Sequence, residues 1–325
     1  MMFAVYCKSP DPQNPLSGLC SGELEEPSIR DGWVRVNMSH ASLNRHDIFT
    51  LMGASVHEQP TPYPMTLGLD GVGRLDDGTE VIIYPLLNSP DWRDDETLDP
   101  QWNVLSELEQ GTFAQCVTVP RRNVIVKPKE LSSIHAAVLG TAWLTAYRML
   151  FTKAGLQPGQ TMLVQGATGG TSTALIQMGK AAGVEVWTTS RTDKGRELAT
   201  KLGAHKVFKS GETLPKRVDA VMDSVGQSTW AHSLKSVARG GTIVTVGVTT
   251  GSDPKSDLLR VFTEVITIKG TIMGTLEELK NLIRFVITSG IEPEIGDVMP
   301  LRDARRPIQA MLDGQTYGKT VFTVN

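Results

Sequence analysis

The chain reads as an α/β protein of two domains, the second built on a parallel sheet. Three observations predict this. Its 325 residues are about twice the length of one ordinary domain. After Pro128 strand and helix signals alternate, whereas the stretch before it is strand-like and rich in turn residues. A glycine cluster also falls at one strand-to-helix junction, where α/β sheets place their ligand loops.

The elements follow in order. WVRVNM (33–38), EVIIYP (80–85) and TFAQCVTVP (112–120) are β-branched or aromatic runs bounded by Gly, Pro and Asp, and each is expected to be a strand. NSPDWRDDETLDPQWN (88–103) is polar, proline-broken and long for a connection, so it is expected to be a surface loop. LSSIHAAVLGTAWLTAYRMLFTKA (131–154) predicts one long apolar helix, with Ser132 and Ser133 placed to cap its start. Then come TMLVQ, a helix to Ala182, VEVWT, a helix to Leu202, VDAVMD, a helix to Ala238, and TIVTVG. That alternation predicts right-handed βαβ units with helices covering a parallel sheet. Residues 265–325 mix both signals and close on the strand KTVFTV.

Composition narrows the classes. Hydrophobic residues make up 40% and charged residues 21%, enough apolar material for two cores. A net charge of −3 gives no reason to expect a nucleic-acid partner, and no apolar run is long enough to expect a membrane partner. The opening MMFAVYCKSPDP lacks the basic and apolar blocks of a secretory signal. Cys7, Cys20 and Cys116 are too few for a disulfide framework, so a reducing cytoplasm is expected.

The sharpest chemical signal is LVQGATGGTST (163–173). A strand at Met162–Gln165 runs into Gly166, Ala167, Thr168, Gly169, Gly170 and Thr171 before a helix begins. Glycines there let the backbone turn tightly and approach a pyrophosphate, whose charge rests on helix-terminal N–H groups. Ser172 stands where a third glycine is common. The next strand ends in VEVWTTSRTDKG (184–195). An NAD site places a carboxylate at that strand end for the ribose 2′-hydroxyl. Here Ser190, Arg191 and Lys194 offer hydroxyl and cationic groups that suit a 2′-phosphate instead, with Asp193 beyond the tip. NADPH is therefore the expected coenzyme.

GTFAQCVTVP (111–120), AAVLGTAWLTAYRML (136–150), LQPGQTMLVQGATGG (156–170), GGTIVTVGVTTG (240–251), IKGTIMGTLEEL (268–279) and GQTYGKTVF (314–322) together resemble the medium-chain dehydrogenases/reductases. The zinc-independent, quinone oxidoreductase-like branch fits best. The resemblance implies a Rossmann nucleotide-binding domain inserted in a GroES-like β-barrel catalytic domain. The expected division is 1–124 and 262–325 for the catalytic domain and 125–261 for the nucleotide domain, with coenzyme in the cleft between them. In zinc-dependent members the metal is held by Cys, His and Cys, with a Glu beside the His. The matching positions here carry Asn44, Leu69 and Thr141, and Asp70 replaces the Glu. His46, His57 and Asp47 do not compose a recognisable metal site. Metal-free hydride transfer to an electron-poor acceptor follows: a small hydrophobic quinone, enone or enal.

Asn44 and Thr145, by the same resemblance, and His46 and Asp47, which follow Asn44 on the same stretch, are the candidate catalytic residues. Asn44 would bond a substrate carbonyl or the nicotinamide ribose, unless it is a turn asparagine. His46 would relay a proton or lie on the surface. Asp47 would otherwise cap a helix, and Thr145 would otherwise pack. Gly247, Val248, Met273, Gly274, Thr275 and Lys319 would lie against the coenzyme, although Met273 also suits a core and Lys319 and Arg260 also suit solvent. Trp92 and Trp102 would cover substrate or pack the long loop. A homodimer is expected through the region 270–274. An alcohol dehydrogenase and a non-catalytic NADPH-binding sensor are the alternatives; an acyl-thioester reductase of the same superfamily is a third, which would need a basic groove for the carrier phosphates that the sequence does not display.

Overall fold

A computed structural model describes residues 1–55 and 59–324; His57 lies outside them. The chain divides into two compact units. The first comprises Met1–Thr141, Thr275–Ile287 and the residues from Ile295 onward; the second comprises Ala142–Gly274 and Thr288–Glu294. These divisions fall downstream of the expected 124/125 and 261/262 boundaries. The later one does so because the strand Thr267–Gly270 pairs with Val237–Thr245 in the sheet of the second unit.

The first unit is mostly antiparallel β structure assembled from both ends of the chain, with one parallel pair, Ile295–Pro300 beside Lys319–Thr323. The strand Trp33–Ser42 lies at its centre and pairs with Asp70–Arg74 and Cys116–Pro120. The last strand, Lys319–Thr323, joins it with Val321 opposite Ser42 and Phe322 opposite Ala41. A buried edge-to-face pair, Phe113 and Phe322, with centroids 5.0 Å apart, ties that return strand into the core. The expected strands at 80–85 and 112–120 are shorter than their apolar runs, at Glu80–Ile83 and Cys116–Pro120.

The long loop is held by its own acids. Buried Asp99 accepts from Ser89 N (2.7 Å), Ser89 Oγ (3.1 Å) and Gln101 N (2.8 Å). Trp92 and Trp102 are partly buried, and the Trp92 indole donates within the loop to Asp95 O at 2.9 Å.

The second unit holds a parallel sheet of six strands. Their spatial order is Lys206–Lys209, Glu185–Ser190, Thr161–Gln165, Val218–Asp223, Val237–Thr245 and Thr267–Gly270. In chain order this is 3-2-1-4-5-6, so the direction of winding reverses between Thr161–Gln165 and Val218–Asp223. Ligands of doubly wound sheets bind beyond the carboxyl ends of strands at that reversal. The helix expected to reach Ala238 ends at Ser236, and the strand opens at Val237.

The 131–154 segment is not one uniform helix. Ser132 caps the start, its Oγ accepting from His135 N at 3.2 Å. The helical segments Ser133–Ala136 and Leu144–Tyr147 then alternate with wide π turns at Leu139–Trp143 and Arg148–Ala154. Apolar periodicity reports burial, not the number of residues per turn, so the wide turns left no mark in it.

Candidate functional site

In the first unit a buried polar cluster forms where the central strand ends. Asn44 precedes the helix Arg45–Met52 as its N-cap. Asp47, three residues on, accepts from Asn44 N (2.8 Å) and from Gly68 N (2.7 Å). Asp70 begins the adjacent strand. Its Oδ1 accepts from Ser42 Oγ (2.7 Å) and Asn44 Nδ2 (2.9 Å), and its Oδ2 from Thr141 N (3.1 Å). Lys319, at the start of the return strand, donates to Leu43 O (2.6 Å) and Asn44 Oδ1 (2.7 Å).

All of these side chains except that of Thr141 are buried. Burial pushes the Asp47 carboxyl up to about 7, against the pull of two backbone N–H donors and of Lys319. Burial also lowers the Lys319 ammonium, opposed by the charges of Asp70 and Asp47. The solvated reading of Lys319 therefore falls: its ammonium is turned inward onto Leu43 and Asn44.

The expected site residues of this unit are thus partly united. Asn44, Asp47 and Lys319 share one network, and His46 sits half-buried on the same first helical turn. Thr145 belongs to the other unit, where it is buried between the two π segments. Ser42 and Asp70 as partners of Asn44 were missed by sequence reasoning. Only the alignment of Asp70 with a family carboxylate hinted at them.

The three positions matching the zinc ligands do not fit that metal. Leu69 is a buried alkyl group, Asn44 an amide already bonded, and Thr141 a hydroxyl residue. None supplies the thiolate or imidazole that holds tetrahedral zinc. Among the described residues no three His, Cys, Asp or Glu side chains gather as a metal site.

In the second unit the glycine loop leaves the fully buried strand Thr161–Gln165. Gly166 has φ +83°, a left-handed conformation that a residue with a Cβ adopts only under strain. Its N–H donates to Thr189 Oγ1 at 3.2 Å, which pins the loop to the neighbouring strand. Gly169 caps the helix Gly170–Ala181 with no side chain across the end, and nothing stands within 4 Å of where its Cβ would be. The loop therefore leaves open space at a twelve-residue helix N-terminus. Helix-terminal N–H groups and the helix dipole attract an anion there.

The strand tip at Ser190 lies close to this loop. Gly195 makes the approach possible: a Cβ there would stand 2.3 Å from Ser190 Oγ and 3.0 Å from Thr168 Cγ2. Arg191 and Lys194 project as exposed residues from the same turn. Arg196, which sequence reasoning missed, donates to Ser190 O at 3.0 Å and pairs with the Asp193 carboxylate. The one carboxylate that disfavoured a phosphate at this turn is therefore paired with a guanidinium, though it stays largely exposed.

At the reversal point, buried Asp223 accepts from Val225 N and Gly226 N, both at 3.0 Å, and from Ser233 Oγ at 2.7 Å. The loop carrying Gly247 and Val248 packs against that turn, with Val248 exposed. Met273 is buried at φ +33°. Gly274 ends the long segment of the second unit and Thr275 opens the next segment of the first. Thr275 does not continue a turn. It caps the following helix, its N donating to Glu278 Oε2 (2.7 Å) and its Oγ1 accepting from Glu278 N (3.1 Å). Arg260 faces Asp257 on its own helix at 3.6 Å.

A parallel sheet wound in this order, with a glycine loop at its first strand end, defines a dinucleotide-binding unit of the Rossmann class. Comparison with known proteins agrees. The family model described as alcohol dehydrogenase GroES-like domain matches residues 30–129, and that described as zinc-binding dehydrogenase matches 170–288. A solved NAD-dependent alcohol dehydrogenase superposes with TM-score 0.90 at 30% identity, covering 100% of both chains. A zinc-type alcohol dehydrogenase-like protein of Schizosaccharomyces pombe is 25% identical over 93% of this chain and 94% of its own length. The quinone oxidoreductase of Mus musculus is 26% identical over 65% of this chain and 68% of its own length. An acryloyl-coenzyme A reductase of Metallosphaera sedula is 25% identical over 93% of this chain and 95% of its own length. The chain belongs to the medium-chain dehydrogenase/reductase superfamily, a family of oxidoreductases.

Proposed function

We propose that the protein is an NADPH-dependent oxidoreductase that reduces a quinone or an activated C=C or carbonyl compound, an enone or enal, without catalytic zinc. The observation that carries this is the replacement of the zinc ligand set by Asn44, Leu69 and Thr141, with Asn44 bonded to Asp70 and Lys319. Without a Lewis acid an alkoxide is hard to form, whereas an electron-poor acceptor needs little activation.

When bound, the reduced nicotinamide supplies the hydride. The backbone from Gly166 to Thr171 holds the pyrophosphate, and Ser190, Arg191 and Lys194 hold the 2′-phosphate. Gly247, Val248, Met273 and Gly274 line the nicotinamide end. Thr145 orients the ring, and His46 or solvent returns a proton to the reduced acceptor. The mouse quinone oxidoreductase supports a quinone as acceptor; the acryloyl-coenzyme A reductase keeps an enoyl thioester in the same chemical class.

The assay compares NADPH oxidation by quinones, enones and enoyl thioesters with NADP reduction by alcohols. Turnover confined to alcohols would return the chain to the alcohol dehydrogenases. NADPH binding with no turnover at all would make it a sensor.

The same reading places the protein in the cytoplasm as a homodimer. No described helix is long and apolar enough to cross a membrane. The edge strand Thr267–Gly270 is exposed along its length, and Leu258, Leu259 and Phe262 of the preceding helix Leu258–Thr263, with Val265 after it, are exposed apolar residues. The edge ends at Gly270, so residues 271–274, expected as part of it, lie outside the strand. The homodimer is proposed through this exposed four-residue edge and the exposed apolar side chains of the preceding helix.

A further inference from the structure

We infer that Gln165 and His232 are positioning residues, members of a one-directional hydrogen-bond chain that holds the glycine loop from outside it. His232, on the helix Gln227–Ser236, then bears on coenzyme affinity through the amide of Gln165. The inference rests on the coenzyme reading above and goes beyond it by giving a role to buried side chains outside the loop.

The chain crosses three neighbouring strand ends, all within the second unit. Gln165 ends the strand Thr161–Gln165, opposite Asp223 at the end of Val218–Asp223. Thr189 stands one residue from the end of Glu185–Ser190, the strand on the other side. His232 and Ser233 come from the helix after the Asp223 turn. Gln165, Thr189, Ser233 and Asp223 are each 0% exposed, and His232 is half-buried.

The sense of each bond is fixed by the next. Every partner of the Asp223 carboxylate is a donor: Val225 N, Gly226 N, Thr229 Oγ1 and Ser233 Oγ. Ser233 has one proton and spends it there, so its oxygen accepts from Gln165 Nε2 at 3.0 Å. The amide gives its other N–H to His232 Nδ1 at 2.9 Å. The ring proton therefore sits on Nε2 and is donated to Glu212 O at 2.8 Å, with Ser236 Oγ 3.4 Å from the same nitrogen. The amide oxygen is left to Thr189, whose Oγ1 donates to it at 3.0 Å and accepts from Gly166 N at 3.2 Å. Thr188 Oγ1 donates to Gly166 O at 2.9 Å. Threonines of the adjacent strand thus hold both polar backbone groups of Gly166, and one of those holds depends on the chain.

No other arrangement of the protons serves as well. A ring proton on Nδ1 instead of Nε2 would meet the amide N–H, and Glu212 O would face a bare nitrogen. Turning the amide over would relieve the first clash. It would also set the amide oxygen against the Ser233 lone pairs and leave the buried Thr189 proton with no acceptor. An unmade buried bond costs more than a made one contributes, and bonds in such a chain polarise one another. His232 therefore reaches Gly166, held at φ +83°, through its acceptor at Nδ1 and not through its donor at Nε2.

Two measurements test this. In the free wild-type protein, nitrogen NMR of the histidine rings at neutral pH should show the His232 proton on Nε2. A proton on Nδ1 instead would overturn the inference, and this reading needs neither coenzyme nor a variant that folds.

NADPH dissociation constants are then measured by fluorescence titration for wild type, His232→Asn, His232→Gln and Gln165→Leu. Asparagine keeps an acceptor where Nδ1 stands, whereas glutamine keeps a donor toward Glu212 O where Nε2 stands. Loss of one buried hydrogen bond predicts affinity about fivefold weaker for His232→Gln and Gln165→Leu, with His232→Asn close to wild type. An asparagine variant that binds no better than the glutamine variant would overturn the inference, since His232 would then serve only as an anchor to Glu212 or as packing. A wild type with no NADPH isotherm would remove the coenzyme reading and the inference with it. The ring tautomer, read without coenzyme, tells that failure apart from a chain running the other way.

Discussion

Replacing Arg191 by alanine separates a 2′-phosphate pocket from a generic anion site. Arg191 is exposed at the turn after Ser190, and the only other guanidinium of that turn, Arg196, is occupied by Ser190 O and Asp193. Arg196 is therefore not free to take over. A charge-assisted bond to a phosphate is worth ~1.5–3 kcal/mol when shielded, and solvent at this turn favours the lower end. Arg191→Ala should thus weaken NADPH by about tenfold, and Lys194→Ala by about threefold.

The assay is parallel titration with NADPH and NADH at low and high salt. NADH carries no 2′-phosphate, so its affinity should change little. The NADPH loss should shrink as salt rises, because exposed charges are screened over ~10 Å at 0.1 M. Equal losses for both coenzymes would refute the assignment, since Arg191 would then be serving the pyrophosphate. A wild-type preference for NADH would refute it as well.

Buried Asp47 has its carboxyl raised to about 7, so between the ordinary carboxylate range and 7 the folded chain binds more protons than the unfolded one. Stability against urea should therefore fall as pH rises from 5 to 8; a rising profile would show that Asp47 stays ionised throughout. Phe262, 68% exposed on the helix that precedes the edge strand, is the test of assembly. Phe262→Glu should convert a dimer by light scattering into a particle of 35.3 kDa without changing the melting temperature by more than a few degrees, and a wild type already of that mass would contradict the dimer.

What the sequence disclosed and what it withheld have a common cause, the range over which each feature is encoded. The glycine loop and the strand before it are local, and Gly166, Gly169 and the helix from Gly170 stand where LVQGATGG placed them. The chemistry of Asn44 is not local. Its partners Asp70 and Lys319 come from 26 and 275 residues away, and only the folded sheet brings them together.

Lys319 read as solvated because a lone lysine usually is; its burial depends on the return strand seating against Trp33–Ser42. The pairing of Asp193 needed only Arg196, three residues on, and a helix-spacing check at (i, i+3) could have found it. The π turns within 131–154 and the true end of the edge strand at Gly270 depend on hydrogen-bond pairing, which residue type alone does not specify.

Hydride transfer without a metal is the claim on which the account turns, and treating the protein with a strong chelator tests it directly. After dialysis and metal analysis, NADPH oxidation by a quinone is measured with and without added zinc. The replaced ligand set predicts an unchanged rate in protein that retains no stoichiometric metal. Loss of that rate on chelation, with recovery on adding zinc, would contradict it.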